Sequence, residues 1–332
     1  MNPGPRRGIE PGVCESMDYR TNRVFTALLT IASYNVCNLG SDAAPSRMQR
    51  VGRHIAEDLQ GPAIVALQEI KVPSTDDCGG PVAGDRVYAE LLAAISAAGG
   101  PAYEFLEIPP VADSTGGMPG FNIRTALLFD PRQVDLVSRE PAGDDFEARL
   151  EDGRLVPNPA LVAPDGPAFA GDEESHWQPT RRVLAAEFRV GNRPVIVLAC
   201  HLKSMSATTR RAGEHAKKQR HEQALVIHAF IARLLEERPE AALVVLGDMN
   251  DTVGSKTLER LRDEELVNLQ ETLPKRSRYT SRYAGRPMVL DHVLVRPEMA
   301  EGARFSVAHV NTDRPYPERA SDHDPVLAEI PL

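Results

Sequence analysis

The chain has 332 residues, of which 42% are apolar and 26% charged, values that fit a folded globular protein and exclude a disordered one. Its formal net charge of −9 excludes a protein that coats nucleic acid by bulk attraction, because such domains carry a basic excess; an enzyme that visits a phosphate chain needs only a local basic surface. No apolar run approaches the ~20 residues of a membrane helix, and Cys14, Cys37, Cys78 and Cys200 show no paired short spacing, so neither a zinc knuckle nor a disulfide framework is expected and a cytoplasmic setting fits best.

Residues 1 to about 23 mix Pro, Gly, Arg and acids without periodicity and read as a poorly ordered tail, followed by one catalytic domain over 24–332. Val24 to Ala32 would pass as a short secretory core if translation began at Met17, but a buried first strand is the better reading, since cleavage near Ala32 would remove half of that strand. Apolar runs predict strands at Leu28 to Tyr34, Ala63 to Leu67, Thr125 to Phe129, Leu184 to Val190, Val195 to Ala199, Leu243 to Leu246, Val293 to Val295 and Val326 to Ile330. Arg47 to Leu59, Asp85 to Ala98 and Gly213 to Glu237 show helical spacing; in the last, Ala224, Ile227, Ile231, Leu234 and Leu235 share a face. Strands that are apolar on both faces must be covered on both sides. Ser138 to Gln178, rich in Pro, Gly and acids and without a period, reads as a long surface insertion.

Many of the strands end in, or are closely flanked by, polar residues able to bind metal or move protons. Asn35, Glu69, His201, and Asp248 with Asn250 follow strands; Asp291 with His292, and Asp322 with His323, precede them. Buried strands hold such groups rigidly while their ends escape burial. Any one of these alone reads as a turn, a helix cap or a satisfied structural histidine; their recurrence in one chain is the signal. A calcium loop at Asp248, Asn250, Thr252 and Glu259 is excluded by Val253, where that loop requires Gly, and by the strand that precedes it.

Ser33-Tyr34-Asn35-Val36, Leu67-Gln68-Glu69, His201-Leu202-Lys203-Ser204, Gly247-Asp248-Met249-Asn250-Asp251, Leu290-Asp291-His292 and Ser321-Asp322-His323-Asp324-Pro325-Val326 resemble, in order and spacing, the motif series of the DNase I-like endonuclease/exonuclease/phosphatase superfamily. Tyr279-Thr280 followed by Gly285, and Asn158-Pro159 ahead of Arg181-Arg182, resemble its bacterial predicted-nuclease branch. Cys37 stands where abasic-site endonucleases tend to carry an acid, and the Gly247 to Asp251 stretch departs from the inositol-phosphatase form, so neither specialised branch is favoured.

The resemblance implies a four-layer α/β/β/α sandwich of two mixed sheets, and Mg²⁺- or Mn²⁺-dependent hydrolysis of phosphodiesters by a monomeric nuclease, with DNA expected over RNA and endonucleolytic cleavage over exonucleolytic. Phosphodiester hydrolysis needs a cation on the phosphoryl oxygens, a nucleophile and a proton for the leaving oxygen. Asn35, Glu69 and Asp322 form the expected oxygen-ligand set for a hard cation. The resemblance implies His323, oriented by Asp291, as base, Asp248 and Asn250 as groups placing water and phosphate, and His201 as acid; imidazole chemistry allows the two histidines to exchange roles. Arg181 and Arg124, each just before a strand, are candidate phosphate clamps. Basic segments at Lys203 to Arg220 and Lys275 to Arg286, the latter interleaved with Tyr279 and Tyr283, flank these motifs and are candidate backbone contacts. The alternatives are a phosphatase or phospholipid phosphodiesterase using the same site, and a catalytically silent binding module.

Overall fold

The computed structural model describes residues 27–73, 81–141, 143–163 and 166–332. The expected tail, the start of the Val24 run, Cys14 and Cys78 lie outside them. Two sheets carry the fold. In chain numbering, the six-stranded sheet runs Arg304–Val307, Val326–Pro331, Leu28–Leu39, Ile64–Ile70, Arg124–Phe129, Glu104–Leu106. The seven-stranded sheet runs Val267–Asn268, Asp291–Val295, Ala242–Asp248, Arg193–His201, Val183–Val190, Asp135–Leu136, with Ala160–Val162 also paired to Val183–Val190. Both sheets are mixed, each containing one parallel pair among antiparallel ones.

The period-two alternation of the strands separates three apolar cores. Leu29 and Ile31, Ile64 and Ala66, Leu127 and Phe129 of the first sheet meet Leu184, Ala186, Phe188, Val195, Val197, Ala199, Val244, Leu246, Val293 and Val295 of the second in a core between the sheets. The opposite face of the second sheet, through Ile196, Leu198, Leu243 and Val245, packs on Ala224, Ile227, Ile231 and Leu234 of the Arg210–Glu237 helix. The opposite face of the first, through Ala32, Tyr34, Val65 and Leu67, packs on Val51 and Ile55 and on Val87, Leu91 and Ile95 of the Asp85–Ala97 helix. Three cores between helix, sheet, sheet and helix make the expected four-layer sandwich. Each Leu or Ile sealed in this way contributes roughly 1.5–3 kcal/mol, which explains why both-sided apolar runs, and not helix propensity, define the order of elements.

Every apolar run read as a strand forms one, commonly with one or more residues added at an end. The helix expected over Arg47 to Leu59 is an α-helix at Pro45–Arg53 that widens to a π-helical turn at His54–Asp58. Short edge strands at Glu104–Leu106, Asp135–Leu136, Val267–Asn268 and Arg304–Val307 escaped the periodicity reading because they hold too few residues to show a period. The Ser138 to Gln178 stretch contains two hairpins, Arg149–Glu151 with Arg154–Val156 and Ala168–Phe169 with Asp172–His176, and lends Ala160–Val162 to the second sheet. Among the described residues no helix is long and apolar enough to cross a membrane.

Candidate active site

On the second sheet three polar residues stand side by side in register. His201 pairs with Asp248 across the parallel strands, and Asp248 with Asp291 across the antiparallel ones. Each continues the phase of the inter-sheet core: His201 follows Val197 and Ala199, Asp248 follows Val244 and Leu246, and Asp291 precedes Val293 and Val295. The row is therefore the place where the apolar filling between the sheets ends. Gly247 is required here: its φ is 138°, and a Cβ would lie 2.0 Å from the Cys200 carbonyl oxygen of the neighbouring strand.

The first sheet reaches the same place by breaking its register. Pairing of the Leu28–Leu39 and Ile64–Ile70 strands is irregular between Asn35 and Leu39, and pairing of the latter with Arg124–Phe129 is irregular between Leu67 and Ile70. By strict alternation Glu69 would face away from Ala66 and the inter-sheet core; instead its backbone turns to φ 62°, and the carboxylate joins the cluster. Asn35 Nδ2 donates to Glu69 Oε1 at 3.3 Å and to Asp248 Oδ2 at 3.0 Å, so this amide joins the two sheets. His201 Nε2 lies 3.8 Å from Glu69 Oε1 and 3.6 Å from Asp248 Oδ2. Asn250, also at positive φ (49°), donates from its side chain to Leu202 O and to Asp248 Oδ2, both at 3.2 Å, while its own N–H donates to Asp248 Oδ1 at 2.8 Å.

His323 arrives on the loop before the last strand, with its Nδ1 2.7 Å from Asp291 Oδ2. Asn311, which carried no sequence signal, holds it there together with Ser321 and Thr280 of the quoted motifs. Asn311 donates to the His323 carbonyl and accepts from the N–H groups of Ala320 and Ser321; Ser321 Oγ donates to the Asn35 carbonyl at 2.6 Å and accepts from His323 N. Thr280 Oγ1 accepts from the N–H groups of Leu290 and Asp291, and the Thr280 carbonyl accepts from Asp324 N. Asn311 stands outside every motif, and its role depends on a fold-level contact no spacing rule anticipates.

The cluster is rich in buried negative charge. Burial raises the Asp248 carboxyl well above its ordinary value, with His323 opposing and Asp291 adding to the shift. Burial alone would lower His323, but the charge and hydrogen bond of Asp291, with Asp248 and Asp322, hold it well above its ordinary value. Burial lowers His201, and the neighbouring Arg181 and His323 lower it further. These shifts favour a charged His323 and a neutral His201 in the absence of a cation, opposite in direction to what a base at His323 and an acid at His201 require.

Carboxylate oxygens of Glu69 and Asp248 converging at the polar end of the inter-sheet space, with the Asp248 proton affinity raised, are a donor set that fits a hard divalent cation. Asp248, Asp291 and His323 also offer ligand atoms within 4.8 Å of one another. Two of the expected ligands, Asn35 and Asp322, differ from Glu69 in their surroundings. The Asn35 amide oxygen accepts from Cys37 N at 3.0 Å, so Asn35 presents its NH₂ to the carboxylates and acts as a bridge. Asp322 is exposed; its side chain neighbours Cys37, whose thiol is pushed up to about 12 by burial and then by Asp322 and Glu69.

Arg181 is 5% exposed, donates from Nη2 to Leu202 O at 3.0 Å, and feels the charges of Glu69 and Asp248. Its Nε has no hydrogen-bond partner among the described residues. Arg124 is not brought into contact with this cluster. Its Nη1 is committed to the Val82 carbonyl and to Glu107 Oε2, the latter at 3.1 Å and itself buried, because a guanidinium sealed from water without a carboxylate costs several kcal/mol. Arg220, read as part of a basic surface, is 4% exposed; it pairs with Asp251 and donates to the carbonyls of Lys203 and Ser204, bracing the loop after His201. Tyr279 is stacked on His309 and covered by Arg282, whereas Tyr283 is 78% exposed.

Residues 32–323 match the Endonuclease/Exonuclease/phosphatase family. A search of curated proteins found no match. Among solved structures, truncated TDP2 from Caenorhabditis elegans is 17% identical with a TM-score of 0.57, covering 92% of this chain and 98% of that one. A D. rerio TDP2 complexed with a single-strand DNA product is 16% identical with a TM-score of 0.56, covering 92% and 99%. A family protein from Leptotrichia buccalis is 14% identical with a TM-score of 0.58, covering 92% and 100%. At these identities the likeness is one of fold.

Proposed function

Since this chain belongs to the endonuclease/exonuclease/phosphatase family, we propose that it hydrolyses phosphodiester bonds of nucleic acid with the help of a divalent cation. The observation that carries the reading is the in-register row His201, Asp248, Asp291 facing Asn35, Glu69 and His323 across the end of the inter-sheet core. A silent binding module has no need to concentrate carboxylates, at a cost in desolvation, in one buried place.

Glu69 and Asp248 would hold the cation, with Asn35 fixing their separation and Asn250 fixing the Asp248 rotamer. A bound Mg²⁺ or Mn²⁺ supplies positive charge against the phosphoryl oxygens and against these carboxylates. Arg181, whose guanidinium feels the charges of Glu69 and Asp248, is the group that would hold a phosphoryl oxygen. The imidazole of His323 is oriented by Asp291 and that of His201 is set between Glu69 and Asp248. For His323 to accept a proton from water it must first release the one that Asp291 and Asp248 hold on it, and positive charge added beside Asp248 favours that release.

Nucleic acid is favoured over small esters by what remains of the basic segments after the buried groups are removed. Arg210, Arg211, Lys217, Arg276 and Arg286 are exposed on a chain of net charge −9, and Tyr283 projects from the hairpin whose Ser281 donates to the Asp322 carbonyl. The test is purified protein with Mg²⁺ or Mn²⁺ against plasmid, linear duplex, single-stranded DNA, RNA and phosphomonoesters, with EDTA as control. Cation-dependent cleavage of a polynucleotide is expected; preference for monoesters would install the phosphatase reading, and no turnover of any ester would install the binding module.

A further inference from the structure

The His323 carbonyl is one end of a chain of buried polar groups. Asn311 Nδ2 donates to that carbonyl at 2.7 Å and to the Tyr34 hydroxyl at 3.0 Å, and the same hydroxyl lies 2.9 Å from Nδ1 of His54. Asn311 and Tyr34 are fully buried and His54 is 8% exposed. His54 opens the π-helical turn of the outer-layer helix, where Leu59 N donates to the His54 carbonyl, five residues back, at 2.9 Å. Tyr34 faces this helix, while Asn35, next along the strand, faces the carboxylates, so one dipeptide serves both sides of the first sheet. The chain therefore runs from the outer helix, through the sheet, to the loop that carries His323.

The partners fix the direction of each hydrogen bond. The N–H groups of Ala320 and Ser321 can only donate, so the Asn311 atom that meets them is the amide oxygen, and its NH₂ faces the His323 carbonyl and Tyr34. An amide NH₂ only donates, so Tyr34 Oη accepts from it and turns its own proton to His54 Nδ1. His54 must then present an unprotonated Nδ1, and burial, with the charges of Arg314, Arg53 and Arg50, pushes its pKa down to about 4. The start of the loop is held separately: the Arg47 guanidinium donates to the Ala320 carbonyl and to the carbonyls of Val36 and Cys37 at the register break of the first sheet. Arg47 thus fixes where the loop enters, and Asn311 fixes where His323 sits.

Resting on the hydrolytic reading above, we propose that Tyr34 is a positioning residue: its hydroxyl, anchored on His54, sets the Asn311 amide that seats His323 against Asp291. What is at stake is the 2.7 Å contact of His323 Nδ1 with Asp291 Oδ2, made between a loop that enters the first sheet and a strand of the second. A displacement of ~1 Å in such a contact costs up to about 10²-fold in rate. Without the Tyr34 oxygen, one N–H of the Asn311 amide has no acceptor in a sealed place. The amide recovers one only by turning away from the His323 carbonyl or from the N–H groups of Ala320 and Ser321. The phenol acts on the reaction through Asn311 and makes no contact with the carboxylate row.

The test is Tyr34→Phe, which keeps the ring in the core and removes the hydroxyl alone. It is read by steady-state kinetics on the polynucleotide that the parent cleaves with Mg²⁺, and by amide hydrogen exchange in EDTA. The value of kcat should fall by about tenfold with KM within about twofold of the parent. Asn311→Ala should lower kcat as well, and Tyr34→Phe added to it should cost nothing further, because the phenol then has no amide to set. Val51→Ala, which thins the core beside Tyr34 and touches none of these hydrogen bonds, should destabilise the fold and leave kcat unchanged. Exchange of the Ala320 and Ser321 N–H groups should quicken by roughly tenfold in Tyr34→Phe, while the central strand Ala242–Asp248 keeps its rates. Parent-like kcat in Tyr34→Phe, an equal further loss in the Asn311→Ala background, or a like loss in Val51→Ala overturns the assignment. The two readings separate. Cleavage by the parent with parent-like kcat in Tyr34→Phe removes the positioning role alone. A parent that cleaves no ester removes the hydrolytic reading, and exchange then decides: quickening confined to the loop keeps Tyr34 as the residue that sets it, whereas unchanged or uniformly quickened exchange removes that role too.

Discussion

The two sheets deliver their halves of the site by opposite means. The second sheet does it by regularity: His201, Asp248 and Asp291 are neighbours in an unbroken ladder, each in phase with the apolar residues behind it. The first does it by irregularity, since Asn35 and Glu69 sit at register breaks, with Glu69 at φ 62° and the adjoining Cys37 at 50°. A ladder places side chains at no conformational cost, while a bulge with a non-glycine residue at positive φ costs of order 1–3 kcal/mol that the surrounding structure must offset. Regular geometry thus carries the groups that must keep a fixed mutual distance, and strained geometry carries the carboxylate that must be turned out of its natural face.

The sharpest way to break this comparison is to remove one group from each half. Asp248→Ala and His323→Ala are each expected to lower turnover at least ~10²-fold with the fold intact. Glu69→Gln is expected to keep the fold but to require a higher Mg²⁺ concentration for half-maximal activity, because one anionic ligand is gone. Initial rates across a Mg²⁺ series, with circular dichroism as the check on folding, measure both. Rates within threefold of the parent for Asp248→Ala would remove the ladder from the chemistry.

The regular half has its own weak point. Gly247→Ala is expected to lose at least about 2 kcal/mol of stability, since the added Cβ meets backbone on the adjacent strand and no side chain can move aside. Urea unfolding would show it as a lower midpoint with an unchanged slope. A parent-like midpoint would mean that the close strand approach at Cys200 is not a constraint.

The halves were not equally legible in the sequence, and the reason is the same geometry. A polar residue that follows an apolar run is visible from the run itself, which is how His201 and Asp248 stand out. Glu69 is out of phase with its run; its place after the run and the Leu67-Gln68-Glu69 motif marked it, while strict alternation would turn it to the wrong face. Nothing in the pattern marks Asn311, because holding a loop by side-chain hydrogen bonds leaves no periodicity. Arg124 and Arg220 were legible as charges but not as buried ones: their partners Glu107 and Asp251 lie 17 and 31 residues away, and only the fold pairs them. The short edge strands were unreadable for want of length.

The two histidines offer a finer probe of the site's charge. In the protein freed of cation, burial keeps the His201 imidazole neutral down to below its ordinary titration range, while Asp291 keeps His323 protonated above it. Titration of the histidine ring resonances should therefore show one site charging only on the acid side of pH 6.5 and another discharging only on the alkaline side. Adding Mg²⁺ should move the His323 transition to lower pH, because positive charge beside Asp248 opposes the imidazolium. Two histidine transitions superimposed near 6.5, unmoved by Mg²⁺, would show that the carboxylate row does not set these proton affinities.

The smallest expected effect concerns the basic helix start beside the second sheet, and it separates bracing from binding. Lys217 is exposed and Lys218 leans on Phe169 with Asp172 as an ion partner, whereas Arg220 is buried under the loop that follows His201. Lys217→Gln should raise KM on a long polynucleotide and flatten the dependence of log affinity on log salt by up to about one unit if that ammonium contacts a phosphate. Arg220→Gln should leave the salt slope unchanged and instead lower kcat on long and short substrates alike, since Lys203 and Ser204 lose the donor that fixes their carbonyls and Asp251 loses its charge partner. Fluorescence anisotropy in EDTA across a salt series, paired with steady-state rates, reads both quantities. If Arg220→Gln alters the slope as Lys217→Gln does, the guanidinium reaches the polyanion and the buried pairing with Asp251 gives way on binding; if neither variant changes it, the helix start is a solvated face and the nucleic acid lies toward Arg276, Tyr283 and Arg286 on the other flank of the site.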